Sequence, residues 1–241
     1  MKTTKILLGA LRVSALIALF AVVPAKAQTV NVNFNGPTSD TYTGLGAASD
    51  LGTVWNSATS AGATSATFSP LVNSYGGTSS VTVNLSDPSS FNPYNSASHA
   101  AFANPLLSDE IYPNSTMTLT VGGLTPGDKY NLYLYAQNGG YNSDNTVFTF
   151  GTSESAVNTA LGDAAFTPGV NYVEFASLTA NGSGDLIGTI APGAPGAGAI
   201  SGLQVQAEAP VEAPEPSSLA TMSLVGIAML LFCKRLKKQS V

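Results

Sequence analysis

Residues 117–137 read M-T-L-T-V-G-G-L-T-P-G-D-K-Y-N-L-Y-L-Y-A-Q. Met117, Leu119 and Val121 alternate with small or polar partners, the period-two pattern of a half-buried strand. Thr125-Pro126-Gly127-Asp128 then supplies a turn, in which proline presets φ at the second position and glycine accepts a left-handed third. From Tyr130 to Gln137 the alternation resumes, with Leu132 and Leu134 on one face and Tyr133 and Tyr135 on the other. Two strands joined by a tight turn set the pattern for the rest of the chain.

Similar runs recur at Val30–Phe34, Val81–Leu85, Thr146–Phe150, Asn171–Phe175 and Ala199–Gln206. Gly139-Gly140, Pro168-Gly169 and Asn181-Gly182 punctuate them, and the proline- and glycine-rich stretch Ala191–Gly198 reads as a loop before the last strand. Helix formers are scarce. Only Ser96 to Leu107 has helical character, and Pro105 limits it to a short turn. Short strands with regular turns predict an all-β fold, an antiparallel β-sandwich over residues 28–206. The spacing from Leu124 to Tyr130 is similar to the tyrosine corner of fibronectin-type sandwiches, which implies a structural Tyr130 whose hydroxyl bonds nearby backbone. The strand-loop-Tyr pattern also resembles jelly-roll sandwiches of the galactose-binding-like kind. That resemblance implies that the first strand pairs with or neighbours the last.

Both ends of the chain differ from this domain. Lys2, Lys5 and Arg12 precede or flank an apolar run from Val13 to Val23, and Ala25-Lys26-Ala27 places small residues where a signal peptidase cuts. Residues 1–27 therefore read as a secretory signal, cleaved before Gln28. At the other end, residues 207–218 form a Pro/Glu/Ala-rich linker that contains Pro214-Glu215-Pro216. Leu219 to Cys233 carries no charge, which predicts a short transmembrane helix, and Lys234, Arg235, Lys237 and Lys238 make residues 234–241 a basic cytoplasmic stop.

Pro-Glu-Pro, a short apolar helix and a basic terminus, in that order, resemble the PEP-CTERM sorting signal of Gram-negative bacteria. The resemblance covers Ala213 to Val241 and implies export, an inner-membrane intermediate, and processing by an exosortase linked to extracellular polysaccharide. It implies delivery to the cell surface or extracellular matrix. About the activity of the domain it implies nothing.

Charge narrows the function. Between Gln28 and Ala213, thirteen carboxylates face one cation, Lys129, a balance of -12. A phosphate backbone is repelled by such a domain, so no nucleic-acid partner is expected. The one cysteine, Cys233, lies in the tail, so the exported domain folds without a disulfide. One histidine, His99, and no G-x-S-x-G elbow leave a serine triad without support, and no His- or Cys-rich metal site is expected. Carboxylate pairs remain open, because glycoside hydrolysis needs only two, and Asp109, Glu110, Asp144, Glu154, Asp163 and Glu174 are available. For binding, Trp55 beside Asn56, Tyr94 beside Asn95 and Tyr141 beside Asn142 combine an aromatic face with an amide; Trp55 reads as a core anchor. Tyr141, Asn142 and Asp144 in the loop G-G-Y-N-S-D-N form the candidate ligand site, and Asn142, Asp144 and Asn145 offer oxygens for a structural calcium, no other cofactor being expected. The leading expectation is a surface-sorted, matrix- or polysaccharide-associated binding or adhesion protein without catalysis. A structural matrix component and a carboxylate-dependent glycan-active enzyme stay open as alternatives.

Overall fold

A computed structural model describes residues 28–35, 41–59, 63–94, 104–108, 110–136, 145–157, 165–194 and 198–208. The signal residues Ala25 and Ala27, the motif Pro214-Glu215-Pro216, the run Leu219–Cys233 and the basic residues Lys234, Arg235, Lys237 and Lys238 lie outside these. No helix among the described residues is long and apolar enough to cross a membrane.

Among the described residues, twelve strands make two sheets. The first sheet holds β1 (Thr29–Asn35), β2 (Asn56–Thr59), β7 (Lys129–Tyr135), β10 (Tyr172–Thr179) and β12 (Gly202–Ala207), in the order β10-β7-β12-β1-β2. In the second, the order is β3-β4-β6-β11-β8-β9: β3 (Ala63–Phe68), β4 (Thr82–Tyr94), β6 (Met117–Gly122), β11 (Leu186–Pro192), β8 (Asn145–Phe150) and β9 (Thr152–Val157). The short β5 (Glu110–Pro113) pairs with the far end of β4. The all-β, sandwich-like architecture expected from the alternation is present. One pairing departs from the antiparallel rule: β1 and β2 run parallel, Val32 opposite Asn56. The chain from Asn35 to Asn56 must therefore return to the start of the sheet, as a parallel connection requires.

All seven expected strands form, and the first pairs with the last, Thr29 opposite Gln206. Five further strands, β2, β3, β5, β9 and β11, carry too few apolar residues, or too much Gly and Pro, for the alternation to reveal them. β11 ends at Pro192 and so takes the first two residues of the stretch expected to be loop. Of the predicted helical stretch, the described part is one 3-10 turn, Pro105–Leu107, capped by the Asn104 side chain.

Thr125-Pro126-Gly127-Asp128 turns as expected, with Gly127 at φ +83° and Asp128 N–H bonded to the Thr125 carbonyl at 3.2 Å. It carries the chain from one sheet to the other. Tyr130 locks that crossing, since its hydroxyl accepts the Thr125 N–H at 3.0 Å. The tyrosine corner is real.

Between the sheets lies the main core: Val30, Val32, Phe34, Leu132, Leu134, Phe175 and Leu203 from one side meet Val83, Leu85, Leu119, Val121, Phe148 and Ile190 from the other. Aliphatic burial of this kind supplies the main favourable term in folding. A second apolar cluster lies on the opposite face of the five-stranded sheet, where Trp55, Ala48, Leu106 and Leu107 cover Tyr133 and Tyr135. The centre of that sheet is buried on both faces, which alternation alone does not foretell.

Candidate functional site

The outer face of the five-stranded sheet holds a hydrogen-bonded seam. Asn31 and Asn33 of β1 and Gln204 of β12 are each at most 1% exposed. Gln204 Nε2 donates to Asn31 Oδ1 at 2.8 Å, and its Oε1 accepts the Ala48 N–H at 3.0 Å and the Tyr135 hydroxyl. Tyr135 Oη in turn accepts the Ala47 N–H at 2.6 Å. Asn33 Oδ1 takes the Tyr42 N–H at 2.9 Å, Asn31 Nδ2 reaches the Val54 carbonyl at 3.0 Å, and Trp55 Nε1 the Gly44 carbonyl at 2.8 Å. The bonds to Tyr42, Ala47, Ala48 and Val54 tie the segment Tyr42–Asn56 down onto the sheet, while the Trp55–Gly44 bond lies within that segment and the Gln204–Asn31 bond within the sheet. Gly46 lies so close that a Cβ there would sit 2.1 Å from the Gln204 side chain. Burial, more than any neighbouring charge, drives the Tyr135 hydroxyl far above its ordinary pKa and pushes Tyr133 up to about 12, Glu174 adding to the latter. The seam is satisfied internally, so its chemistry holds structure together.

Trp55, 5% exposed, is the core anchor expected of it. Its ring meets Tyr42 and Tyr135 edge-on at 5.2 and 6.0 Å.

Where the docked segment ends, polar and aromatic groups emerge together. Asp50 Oδ1 accepts the Tyr75 hydroxyl at 2.8 Å and the Gly52 N–H at 3.2 Å, and Oδ2 accepts the Ser74 hydroxyl. Partial burial raises the Asp50 pKa, but the hydrogen bonds from Ser74, Tyr75 and Gly52 outweigh it and hold the carboxyl below its usual value. Tyr75 tops a turn built by Asn73. The Asn73 Oδ1 accepts the N–H groups of Tyr75 and Gly77 at 3.0 and 2.9 Å, and Gly76 takes φ +85°. Ser74, 1% exposed, pins this turn to β1 through the Thr29 carbonyl at 2.9 Å and receives the Val54 N–H at 3.0 Å. Around it three large side chains stand in solvent: Leu51 is 73%, Tyr75 55% and Val54 37% exposed.

A separate cavity of about 190 Å³ opens at the end of the sandwich that carries Tyr130, lined by Gln28, Val30, Leu124, Asp128, Tyr130 and Ala207 among others. It falls short of the ~300 Å³ at which small-molecule sites begin.

The expected ligand residues Tyr141, Asn142 and Asp144 lie outside the described residues, as do Asn95, His99, Asp109 and Asp163. Asn145, the third oxygen donor proposed for calcium, opens β8 and bonds the Ala194 carbonyl through Nδ2 at 3.4 Å. Among the described residues no group of three His, Cys, Asp or Glu side chains is placed to hold a metal. Of the remaining carboxylates, Glu154 and Glu174 are exposed on β9 and β10, and Glu110 is buried on β5. Asp50 and Tyr75 escaped the sequence reading. The signal was present in N-S-Y-G-G, an Asx-turn sequence with an aromatic at its tip.

No protein-family model matches the sequence, and no curated protein matches it. Among solved structures, a chain in the crystal structure of plant peptide RALF23 in complex with FER and LLG2 aligns over 81% of this chain, at 13% identity and a TM-score of 0.34. This chain spans 44% of that one. So distant a likeness says nothing of function.

Proposed function

We propose that the chain is an exported, surface-sorted protein whose jelly-roll-like sandwich binds or adheres to extracellular matrix polysaccharide without catalysis. The observation that carries the sorting half is the order of the C-terminus: Pro214-Glu215-Pro216, then Leu219–Cys233 without a charge, then Lys234, Arg235, Lys237 and Lys238. One feature of the fold supports it. Gln28 and Ala207 are hydrogen-bonded neighbours, the Ala207 N–H reaching the Gln28 carbonyl at 3.2 Å. The points at which signal and tail would be cut away, next to Gln28 and after Ala207, therefore flank neighbouring residues, and removing both leaves every described strand intact. The binding half is supported by the internally satisfied seam beside exposed Tyr75, since such an arrangement spends its buried polar groups on rigidity and shows solvent an aromatic platform.

Intact mass of the protein from cell surface and medium, compared with that from the inner membrane, tests the sorting. A surface form beginning at Gln28 and ending near Pro216 is expected. A surface form that retains Lys234 to Val241 would overturn it.

A further inference from the structure

We infer that Tyr75, with Leu51 and Val54 beside it, is a stacking site for a neutral pyranose, an assignment that rests on the polysaccharide reading above. An exposed tyrosine ordinarily spends its hydroxyl on water. Here the hydroxyl is bonded to Asp50 at 2.8 Å and the backbone on both sides of the ring is held by Asn73, so the ring is fixed before any ligand arrives. A side chain so tethered, 55% exposed, shows its apolar ring to solvent. A ligand meeting it loses little side-chain entropy, the general advantage of preorganisation. Sugars present a matching surface, a patch of C–H groups on one ring face edged by hydroxyls. Leu51 and Val54 widen the apolar ledge, and the exposed Thr53 and Thr78 put hydroxyls on the same two turns.

Charge selects the class of sugar. The 36 residues from Leu51 to Ser86 contain no Asp, Glu, Lys, Arg or His, in a domain otherwise at -12. A uronate or sulfated polymer finds no cation there and is repelled by the rest of the molecule. A neutral polysaccharide is not.

The test is binding of the full chain, purified in detergent, to immobilised neutral glycans (β-glucan, mannan, galactan) and to alginate and hyaluronan. Alongside the native protein run Tyr75→Ala and Tyr75→Phe, with thermal melts to confirm folding. Expected is retention on at least one neutral glycan, weakened about tenfold or more by Tyr75→Ala, as for an aromatic anchor, and weakened less by Tyr75→Phe, which keeps the ring but loses its tether to Asp50. Neutral-glycan binding indifferent to Tyr75→Ala would overturn this site and leave the polysaccharide reading standing. Binding confined to alginate or hyaluronan would overturn the neutral class. Binding to none of them would remove both.

Discussion

The two faces of the five-stranded sheet are both buried at its centre, and by different means. Toward the second sheet, Val32, Leu132, Leu134 and Leu203 are 0% exposed and packed against aliphatic and aromatic neighbours. On the other side Asn31, Asn33, Tyr135 and Gln204 are as deeply buried, under the strap Tyr42–Asn56 held by hydrogen bonds, with Leu106 and Leu107 of the 3-10 turn packed against Tyr133 and Tyr135. The inner face is held by area removed from water, with no directional demand. The outer face adds to its smaller apolar cluster a set of matched donors and acceptors, each expensive to leave unmade. A layer of small residues such as Gly44, Gly46, Ala47 and Ala48 has little apolar area to bury, so directional bonds must fix it.

The largest effect is expected on the inner face. Leu134→Ala leaves a cavity in a core that cannot close over it, and urea unfolding should report a loss of about 2–5 kcal/mol. A loss below ~1 kcal/mol would mean the two sheets are loosely packed, and the contrast between the faces would disappear. Tyr135→Phe, on the outer face, keeps the ring and removes only the hydroxyl, stranding the Ala47 N–H and one Gln204 contact. It should cost about 1–3 kcal/mol. Combined with Gln204→Ala in a double-mutant cycle, it should show a coupling above ~0.5 kcal/mol; strict additivity would mean water already replaces these bonds. The smallest effect per step is the response to alkali. The folded state holds the Tyr135 hydroxyl protonated by burying it, whereas in the unfolded chain it ionises near pH ~10. Stability contributed by this group is complete below pH ~10 and falls above it by at most about 1.4 kcal/mol per pH unit, while the folded form keeps its proton. Urea midpoints measured from pH 8 to 11 should show a drop that shrinks in Tyr135→Phe. An unchanged drop would assign the alkaline loss elsewhere.

That contrast also marks how far the sequence is readable. The inner face is legible wherever alternation is strong, at Val30–Phe34, Met117–Val121 and Leu132–Leu134, and the turn at Pro126-Gly127 with its tyrosine lock follows from local chemistry. Asn31, Asn33 and Tyr135 share that alternation and read as the solvent side of a half-buried strand. They are buried because Ala47 and Trp55, remote in sequence, fold back onto them, and no local pattern announces a covering strap. β2 (N-S-A-T) and β3 (A-T-S-A-T-F) were missed for a related reason, their pairing being set by their neighbours and not by their own side chains. For the candidate site, Tyr75 and Asp50 are 25 residues apart, and their hydrogen bond depends on where Ser74 meets β1.

The place of β12 sets a clock. It lies between β1 and β7 in the middle of its sheet, yet it is the last strand of the domain to be made. Thr29 must wait for Gln206, 177 positions later, and at roughly 5–20 residues per second that is about 9–35 seconds of synthesis. Throughout that interval Val30, Val32 and Phe34 lack their antiparallel neighbour, and the sheet consists of two unjoined halves. A chain truncated before Gly202 thus carries an exposed apolar seam and is not a slightly shortened domain.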